Sequence, residues 1–385
     1  MKKLLALSLS LLLIFFSSLP VRCVEHTDGR ARPEEPSVSA HSAILIDADS
    51  GRVLLQKNPD ERMGMASTTK IMTAMVALRL CDKDTVISVP REAVGVEGSS
   101  VYLVEGERLT LLELLYALLL SSANDAAVAI AVSLSGSVER FAEEMNLYAE
   151  ELGLTDTHFS NPHGLYDEDH YTTARELGII AAEALRSDII RDIVAKKKTT
   201  IPHDGVKDKR LLVNHNKMLS YYEGAIGMKT GFTKKTGRCL VSAATRDGLT
   251  LIAITLNAPN DWRDHTALLN FGFENFERRV FYTAGSFSYA LPLCDSKSES
   301  VMLTNTEPLC LTVRKGAEIT SVTVEVPFRF AIGSVRRGSF FGQVTISADG
   351  VAARSPLAFS QSSTGSTKPK VGFFERIYNF FLPEV

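Results

Sequence analysis

The sequence predicts an α/β body, an antiparallel sheet flanked by helices with a helical subdomain between its strands, and then a small C-terminal β-sandwich. Three observations predict it. Near the start, Ala43-Ile44-Leu45-Ile46-Asp47 and Val53-Leu54-Leu55 flank Asp49-Ser50-Gly51 as a hairpin of apolar strands. Far downstream, the β-rich runs 239–245 and 249–256 flank Asp247-Gly248, a tight-turn signal. Between these hairpins helical texture dominates to about Leu185, with strands resuming near Leu211. An early strand pair and a late strand pair separated by helices read as one sheet with an insertion.

The elements follow in chain order. Lys2 and Lys3 precede an apolar run, 4–16, and Ser17-Ser18-Leu19-Pro20-Val21-Arg22-Cys23. This pattern reads as an export signal over 1–23, which puts the body outside the cytoplasm. Arg22 argues against a lipoprotein site at Cys23; an uncleaved anchor is the alternative. The body spans 38–283. Met65-Ala66-Ser67 leads into an apolar helix from Thr68 to Leu78, and Ser67 and Lys70 lie one helical turn apart on one face. A serine hydroxyl needs a neighbouring base, and a lysine serves if burial and nearby cations favour its neutral form. Free N–H groups at a helix start suit an oxyanion. Alone, the pair reads first as an N-cap and a solvated lysine, and it is the two later motifs that turn the reading to catalysis.

Thr110-Leu111-Leu112-Glu113 opens the next apolar helix as a capping box. Ser121 and Ser122 interrupt it, and Asn124 begins another helix that runs towards Gly136. A polar turn there presents Ser122 and Asn124 to a cleft, for proton relay and for holding an amide; alone, Asn124 is also an ordinary cap. Further on, Ala225-Ile226-Gly227-Met228-Lys229-Thr230-Gly231-Phe232-Thr233 reads as a strand. Its glycines leave room for an extended ligand, and Lys229 and Thr230 offer charge and a hydroxyl to a carboxylate. The segment from Trp262 to Phe276 reads as a helix packed back on the sheet.

Ser67-x-x-Lys70, Ser122-x-Asn124 and Lys229-Thr230-Gly231, in that order, resemble the motif set of serine penicillin-binding proteins and serine β-lactamases. More of the chain, from about Ser42 to about Phe359, resembles the D-alanyl-D-alanine carboxypeptidases, the low-molecular-mass penicillin-binding proteins of peptidase family S11. Phe159-Ser160-Asn161-Pro162-His163-Gly164-Leu165, Tyr171-Thr172-Thr173-Ala174-Arg175-Glu176-Leu177 and Asn214-His215-Asn216-Lys217-Met218-Leu219 resemble further segments of that family. Locally these are a turn, a helix start with a Thr173–Glu176 capping box, and a polar loop, with His163 read as a loop-stabilising residue. Ala123 stands where many relatives have glycine.

The resemblance implies the transpeptidase/β-lactamase-like fold and removal of the terminal D-alanine from peptidoglycan stem peptides through an acyl-enzyme. It implies Ser67 as nucleophile, Lys70 as base, and Ser122 and Asn124 as aids to proton transfer and positioning. The backbone N–H groups of Ser67 and Phe232 would form the oxyanion hole. Lys229, Thr230 and Gly231 would bind substrate, with Arg263 a second carboxylate partner reached through an alignment gap. It implies β-lactams as inhibitors. The alternatives are a DD-endopeptidase, a transpeptidase or a β-lactamase on the same fold, and a catalytically silent envelope-binding protein.

From about Gly285 short alternating strands follow, 287–293, 301–304, 309–313, 320–326 and 342–347, which read as a β-sandwich over 284–359. Residues 360–370, rich in serine, read as a flexible linker. In 371–383, Phe373, Phe374, Ile377, Tyr378 and Phe381 share one helical face, too short to span a bilayer and suited to lie in its interface. Docking on the body is the alternative. Of the cysteines beyond the leader, Cys81, Cys239, Cys294 and Cys310, Cys294 and Cys310 could pair, but buried free thiols are expected because the domains are large enough to be stable without staples. With 385 residues, 45% hydrophobic, and a net charge of -3, nothing points to nucleic acid. The histidines show no metal-ligand spacing, so neither metal nor cofactor is expected.

Overall fold

A computed structural model describes residues 34–203, 208–294, 296 and 298–364. The leader 1–23 and the expected interfacial helix 371–383 lie outside the described residues. The chain divides into two compact units, one ending at Asn275 and one beginning at Phe276.

In the first unit β1 (Ser42–Asp47) and β2 (Val53–Lys57) form the expected hairpin. A 3-10 turn, Ala66–Thr69, runs into α1 (Lys70–Leu80). A short ribbon follows, β3 (Val86–Ser88) with β4 (Arg108–Thr110), and then α2 (Leu111–Leu120), α3 (Asn124–Ser135), α4 (Val138–Glu151), α5 (Ala174–Arg186) and α6 (Asp188–Val194). A second ribbon, β5 (Lys198–Ile201) with β6 (Arg210–Val213), and α7 (Met218–Tyr221) lead to β7 (Ala225–Thr233), β8 (Gly237–Arg246), β9 (Leu249–Leu256) and α8 (Asp261–Asn275). The main sheet is antiparallel in the order β2-β1-β9-β8-β7, so everything between β2 and β7 is an insertion. Strand texture resumes at Lys198, ahead of the expected Leu211, and the β3–β4 ribbon is an addition to the expected helices.

The two-residue side-chain period of a strand sorts the core. Ile44 and Ile46 of β1 and Ile252 and Ile254 of β9 join the large cluster built by the inserted helices. Leu45 and Leu251, on the other face, pack under α8, where a Cβ on Gly272 would stand 2.3 Å from Leu251 Cδ1 and 3.0 Å from Leu45 Cδ2. On the first face α5 comes so near that a Cβ on Gly178 would meet Ile46 Cδ1 at 3.2 Å. Helix α1 is buried from Lys70 through Ala77, the mark of an element enclosed on every side. The β8–β9 turn places Asp247 and Gly248 at φ 49° and 77°, the left-handed pair that a tight hairpin demands.

Helix α2 begins with the full capping box, Thr110 N–H donating to Glu113 Oε2 at 2.8 Å and Glu113 N–H to Thr110 Oγ1 at 3.2 Å. The Thr173–Glu176 box expected at α5 is only half made. Thr173 Oγ1 accepts from Glu176 N at 3.1 Å, but the Glu176 carboxylate accepts instead from the N–H groups of Thr155 and Asp156 at 2.8 and 2.9 Å. It spans two segments of chain rather than closing its own helix.

The second unit holds β10 (Phe276–Tyr282), β11 (Ser288–Cys294), β12 (Ser300–Asn305), β13 (Leu309–Arg314), β14 (Ile319–Glu325), β15 (Ala331–Ile332), β16 (Phe340–Ala348) and β17 (Val351–Phe359). A six-stranded sheet, β14-β16-β17-β12-β11-β15, and the pair β10-β13 share a core that includes Leu303, Leu309, Val313, Val344, Ile346 and Leu357. The unit starts one strand ahead of the 283/284 boundary because β10 pairs with β13. Strand β17 is an addition: Pro356 argues against a central strand, but its pairing with β12 begins at Leu357, where every residue has an N–H to give. The start of the serine-rich linker is pinned, since Ser363 and Val335 exchange both backbone hydrogen bonds at 3.0 Å. Of the described cysteines Cys81, Cys239 and Cys310 are free thiols; Cys239 is buried, whereas Cys81, Cys294 and Cys310 are half-buried, contrary to the expectation of burial.

Candidate active site

Ser67 stands in the 3-10 turn before α1, so it is not the N-cap of an α-helix. Ala66 ahead of it is left-handed, φ 48°, a conformation that costs a non-glycine residue energy. From the first turn of α1, Lys70 Nζ reaches three oxygens: Ser67 Oγ at 3.0 Å, Asn124 Oδ1 at 2.7 Å and the His163 carbonyl at 2.6 Å. Asn124 Nδ2 is committed to Glu97 O at 2.6 Å, which turns Oδ1 to the lysine. Asn124 Oδ1 and His163 O can only accept. A neutral amine has two N–H bonds to give them, which leaves its lone pair facing the Ser67 hydroxyl. The lysine is suited to that state: burial, and then the charge of Lys229, push its pKa well below the usual lysine range, with Asp125 opposing in part.

Ser122 occupies the turn between α2 and α3 in a left-handed conformation, φ 59°. Its Oγ accepts from Lys229 Nζ at 3.0 Å, and Lys229 Nζ also donates to Thr230 O at 2.7 Å. Burial brings Lys229 down to about 7. Lys229 comes from β7, the edge strand of the main sheet. There the strand passes so close to the nucleophile turn that a Cβ on Gly231 would stand 2.9 Å from Ser67 N and 3.1 Å from Met65 O. Only glycine allows the strand to lie there, and the approach brings the Ser67 N–H beside residues 231 and 232. Thr230 is half-buried next to them, and the Phe232 side chain is 63% exposed.

Ser67, Lys70, Ser122, Asn124, Lys229, Thr230 and Gly231 therefore come together. Arg263 stands apart: it is exposed on the first turn of α8 and makes no hydrogen bond or ion pair to the cluster. The same turn carries Asp261, whose Oδ2 accepts from Arg238 Nε at 3.0 Å, and Arg238 is paired with Phe232 across the β7–β8 ladder. His163 acts as a loop residue: burial and the nearby Lys70 hold its imidazole down at about 3, and Nδ1 accepts from Leu165 N at 3.2 Å.

Sequence reading missed Asp125. Its buried carboxylate accepts from Ser100 Oγ at 2.6 Å and from Val101 N and Leu103 N, both at 3.1 Å. That fixes the loop whose Ser99 O accepts from Asn124 N at 2.7 Å. An aspartate at a helix start is the only signal the sequence carried, and it reads as an ordinary dipole partner. The His163 carbonyl was missed as well, because a main-chain acceptor has no side-chain signature. Among the described residues no group of three or more His, Cys, Asp or Glu is arranged to hold a metal ion.

A proton-accepting lysine against a half-buried serine, a second lysine bridged by a second serine, and an open strand edge alongside suit acyl transfer from an extended, carboxylate-bearing peptide. The sequence profile of a family described as D-alanyl-D-alanine carboxypeptidase matches residues 30–260. The D-alanyl-D-alanine carboxypeptidase DacF of Bacillus subtilis is 33% identical over 341 residues, covering 86% of this chain and 87% of that protein. Penicillin binding protein 5 from Haemophilus influenzae superposes with a TM-score of 0.72 at 28% identity over 86% of this chain and 100% of its own. The Streptomyces K15 DD-transpeptidase superposes with a TM-score of 0.60 at 33% identity, over 63% of this chain and 100% of its own.

Proposed function

The chain belongs to the D-alanyl-D-alanine carboxypeptidase family of serine peptidases, and from that premise we propose that it acts through Ser67. It is a penicillin-binding serine hydrolase that removes the terminal D-alanine of peptidoglycan stem peptides. The observation that carries the assignment of Ser67 is the Lys70 amine, 3.0 Å from Ser67 Oγ with both of its N–H bonds taken up elsewhere.

In this reading Lys70 takes the Ser67 proton as Oγ attacks the carbonyl of the penultimate D-alanine. The oxyanion lies against the N–H groups of Ser67 and Phe232. Collapse breaks the amide bond, and the leaving D-alanine amine receives a proton from Lys70 by way of Ser122. Water then cleaves the Ser67 ester and releases the shortened peptide. Protonated Lys229 and Thr230 hold the terminal carboxylate, and Arg263 remains a candidate second partner from the first turn of α8. A β-lactam amide is opened by the same attack and stays on Ser67 as an ester.

Mass spectrometry of the products from a pentapeptide ending in D-Ala-D-Ala tests the reaction. The expected result is a tetrapeptide and free D-alanine. An untouched pentapeptide alongside cleavage of cross-linked dimers would assign an endopeptidase instead.

We further propose that 1–23 directs export and that 371–383 rests on the outer face of the cytoplasmic membrane. Its apolar residues on one helical face support this reading. Among the described residues no helix is long and apolar enough to cross a membrane. Ending the chain near Ser366 should move the signal-processed protein from membranes to the soluble fraction, with activity on soluble pentapeptide retained. Sedimentation with membranes at high salt after truncation would show that the anchor lies elsewhere.

A further inference from the structure

We propose that Thr69 and His170 are positioning residues for acylation, holding the left-handed Ala66 that sets Ser67 against Lys70. The inference rests on Ser67 as the acylated residue. Ala66, at φ 48°, keeps this unfavourable conformation only if its surroundings impose it. Its carbonyl accepts from Thr69 Oγ1 at 2.7 Å. Thr69 Oγ1 in turn lies 2.7 Å from His170 Nε2, and His170 Nδ1 lies 3.1 Å from Ser160 N.

The direction of this chain of bonds is fixed by its far end. Ser160 N–H can only donate, so His170 Nδ1 accepts and Nε2 carries the hydrogen. Nε2–H donates to Thr69 Oγ1, whose own hydrogen then goes to Ala66 O. The ring is buried, and desolvation brings it down to about 4, which keeps it neutral. Phe159 stands edge-on to it with ring centroids 5.8 Å apart.

Gly164, φ 84°, packs against the same carbonyl beside the Thr69 hydroxyl: a Cβ there would stand 2.0 Å from Ala66 O and 2.8 Å from Thr69 Oγ1. Gly164 follows His163, whose own carbonyl accepts from Lys70, and Thr73 Oγ1 holds Pro162 O at 2.6 Å. The loop 162–164 is thus seated on one side of α1 and its leading turn. The relay touches neither Ser67 Oγ nor Lys70 Nζ directly. Its effect is on where the serine sits relative to the lysine.

The test is the acylation of the full chain by labelled penicillin, resolved into a pre-acylation dissociation constant and an acylation rate constant, with the labelled residue located by peptide mass spectrometry. Thr69→Val removes the hydroxyl at nearly constant shape, and Thr69→Ser keeps it. His170→Asn can still take the Ser160 N–H but is too short to reach Thr69. The Val and Asn variants should lose on the order of tenfold or more in acylation rate constant, the cost of freeing a strained residue. Their dissociation constants should be little changed, Thr69→Ser should stay near wild type, and the double variant should be no slower than the slower single one.

A folded Thr69→Val or His170→Asn protein that acylates at the wild-type rate overturns the proposal. Equal losses in the Ser and Val variants, or additive losses in the double variant, do the same. If Thr69→Val does not fold, His170→Asn decides alone. Label found on a residue other than Ser67 in the wild-type chain would instead remove the nucleophile assignment beneath it.

Discussion

Replacing Ser67 by alanine should abolish covalent labelling by penicillin while the fold survives. The hydroxyl is the only group lost, and its contacts are one with Lys70 Nζ at 3.0 Å and a long approach to His163 O at 3.5 Å. The turn itself is held by the backbone and by Thr68 and Thr69, whose hydroxyls bond Met65 O and Ala66 O, both at 2.7 Å. Removing a nucleophile leaves no alternative path to an ester, so the fall in turnover should be on the order of a millionfold. Labelling in proportion to protein in the Ala variant, read by gel fluorescence and an intact-mass shift, would sink the assignment and return the silent-binder reading. The melting temperature should move little.

Lys70→Arg should be the second severe variant. A guanidinium can still donate to Asn124 Oδ1 and His163 O, but it has no lone pair to offer the serine and stays charged. Loss of a general base is worth roughly 10²–10⁴-fold, and acylation should fall by that much. Near-normal acylation in a folded Arg variant would mean that another group is the base.

The two lysines also predict the pH profile of kcat/KM. Lys70 acts in its neutral form, so activity rises as pH climbs through its lowered pKa. Lys229 holds a carboxylate in its charged form, present below about 7 and lost as pH rises through it, so activity falls on the alkaline side. The limb set by Lys229 should lie near 7 for kcat/KM and higher for kcat, because bound carboxylate stabilises the ammonium. An alkaline limb that stays put when Lys229 is replaced by glutamine would detach it from this residue.

Much of the site was legible because its motifs are local. Ser67 and Lys70 share a turn, Ser122 and Asn124 share a helix junction, and Lys229 through Gly231 share a strand. Their side chains carry recognisable chemistry at fixed spacing. The hairpins were legible for the same reason, since strand period and Asp-Gly are short-range signals. The structure leaves Arg263, exposed on the first turn of α8, outside the hydrogen-bonded cluster. What stayed hidden acts through the main chain or over long separations: the His163 carbonyl, the Asp125 clamp on 100–103, the half-made box at Glu176 and strand β17 beyond Pro356.

The sequence by itself determined the residue types of the cluster, the order of the elements and the family, all of which follow from short-range pattern. The tertiary structure alone decided which of those groups meet and in what protonation state. Lys70 and Asn124 are 54 residues apart, yet their contact fixes where the amine's lone pair points. Lys70 is lowered because folding removes it from water and sets a second lysine nearby, and Ala66 is left-handed because Thr69, His170 and Gly164 close around its carbonyl. Desolvation and through-space charge depend on what surrounds a group in three dimensions, and no window of sequence contains that neighbourhood.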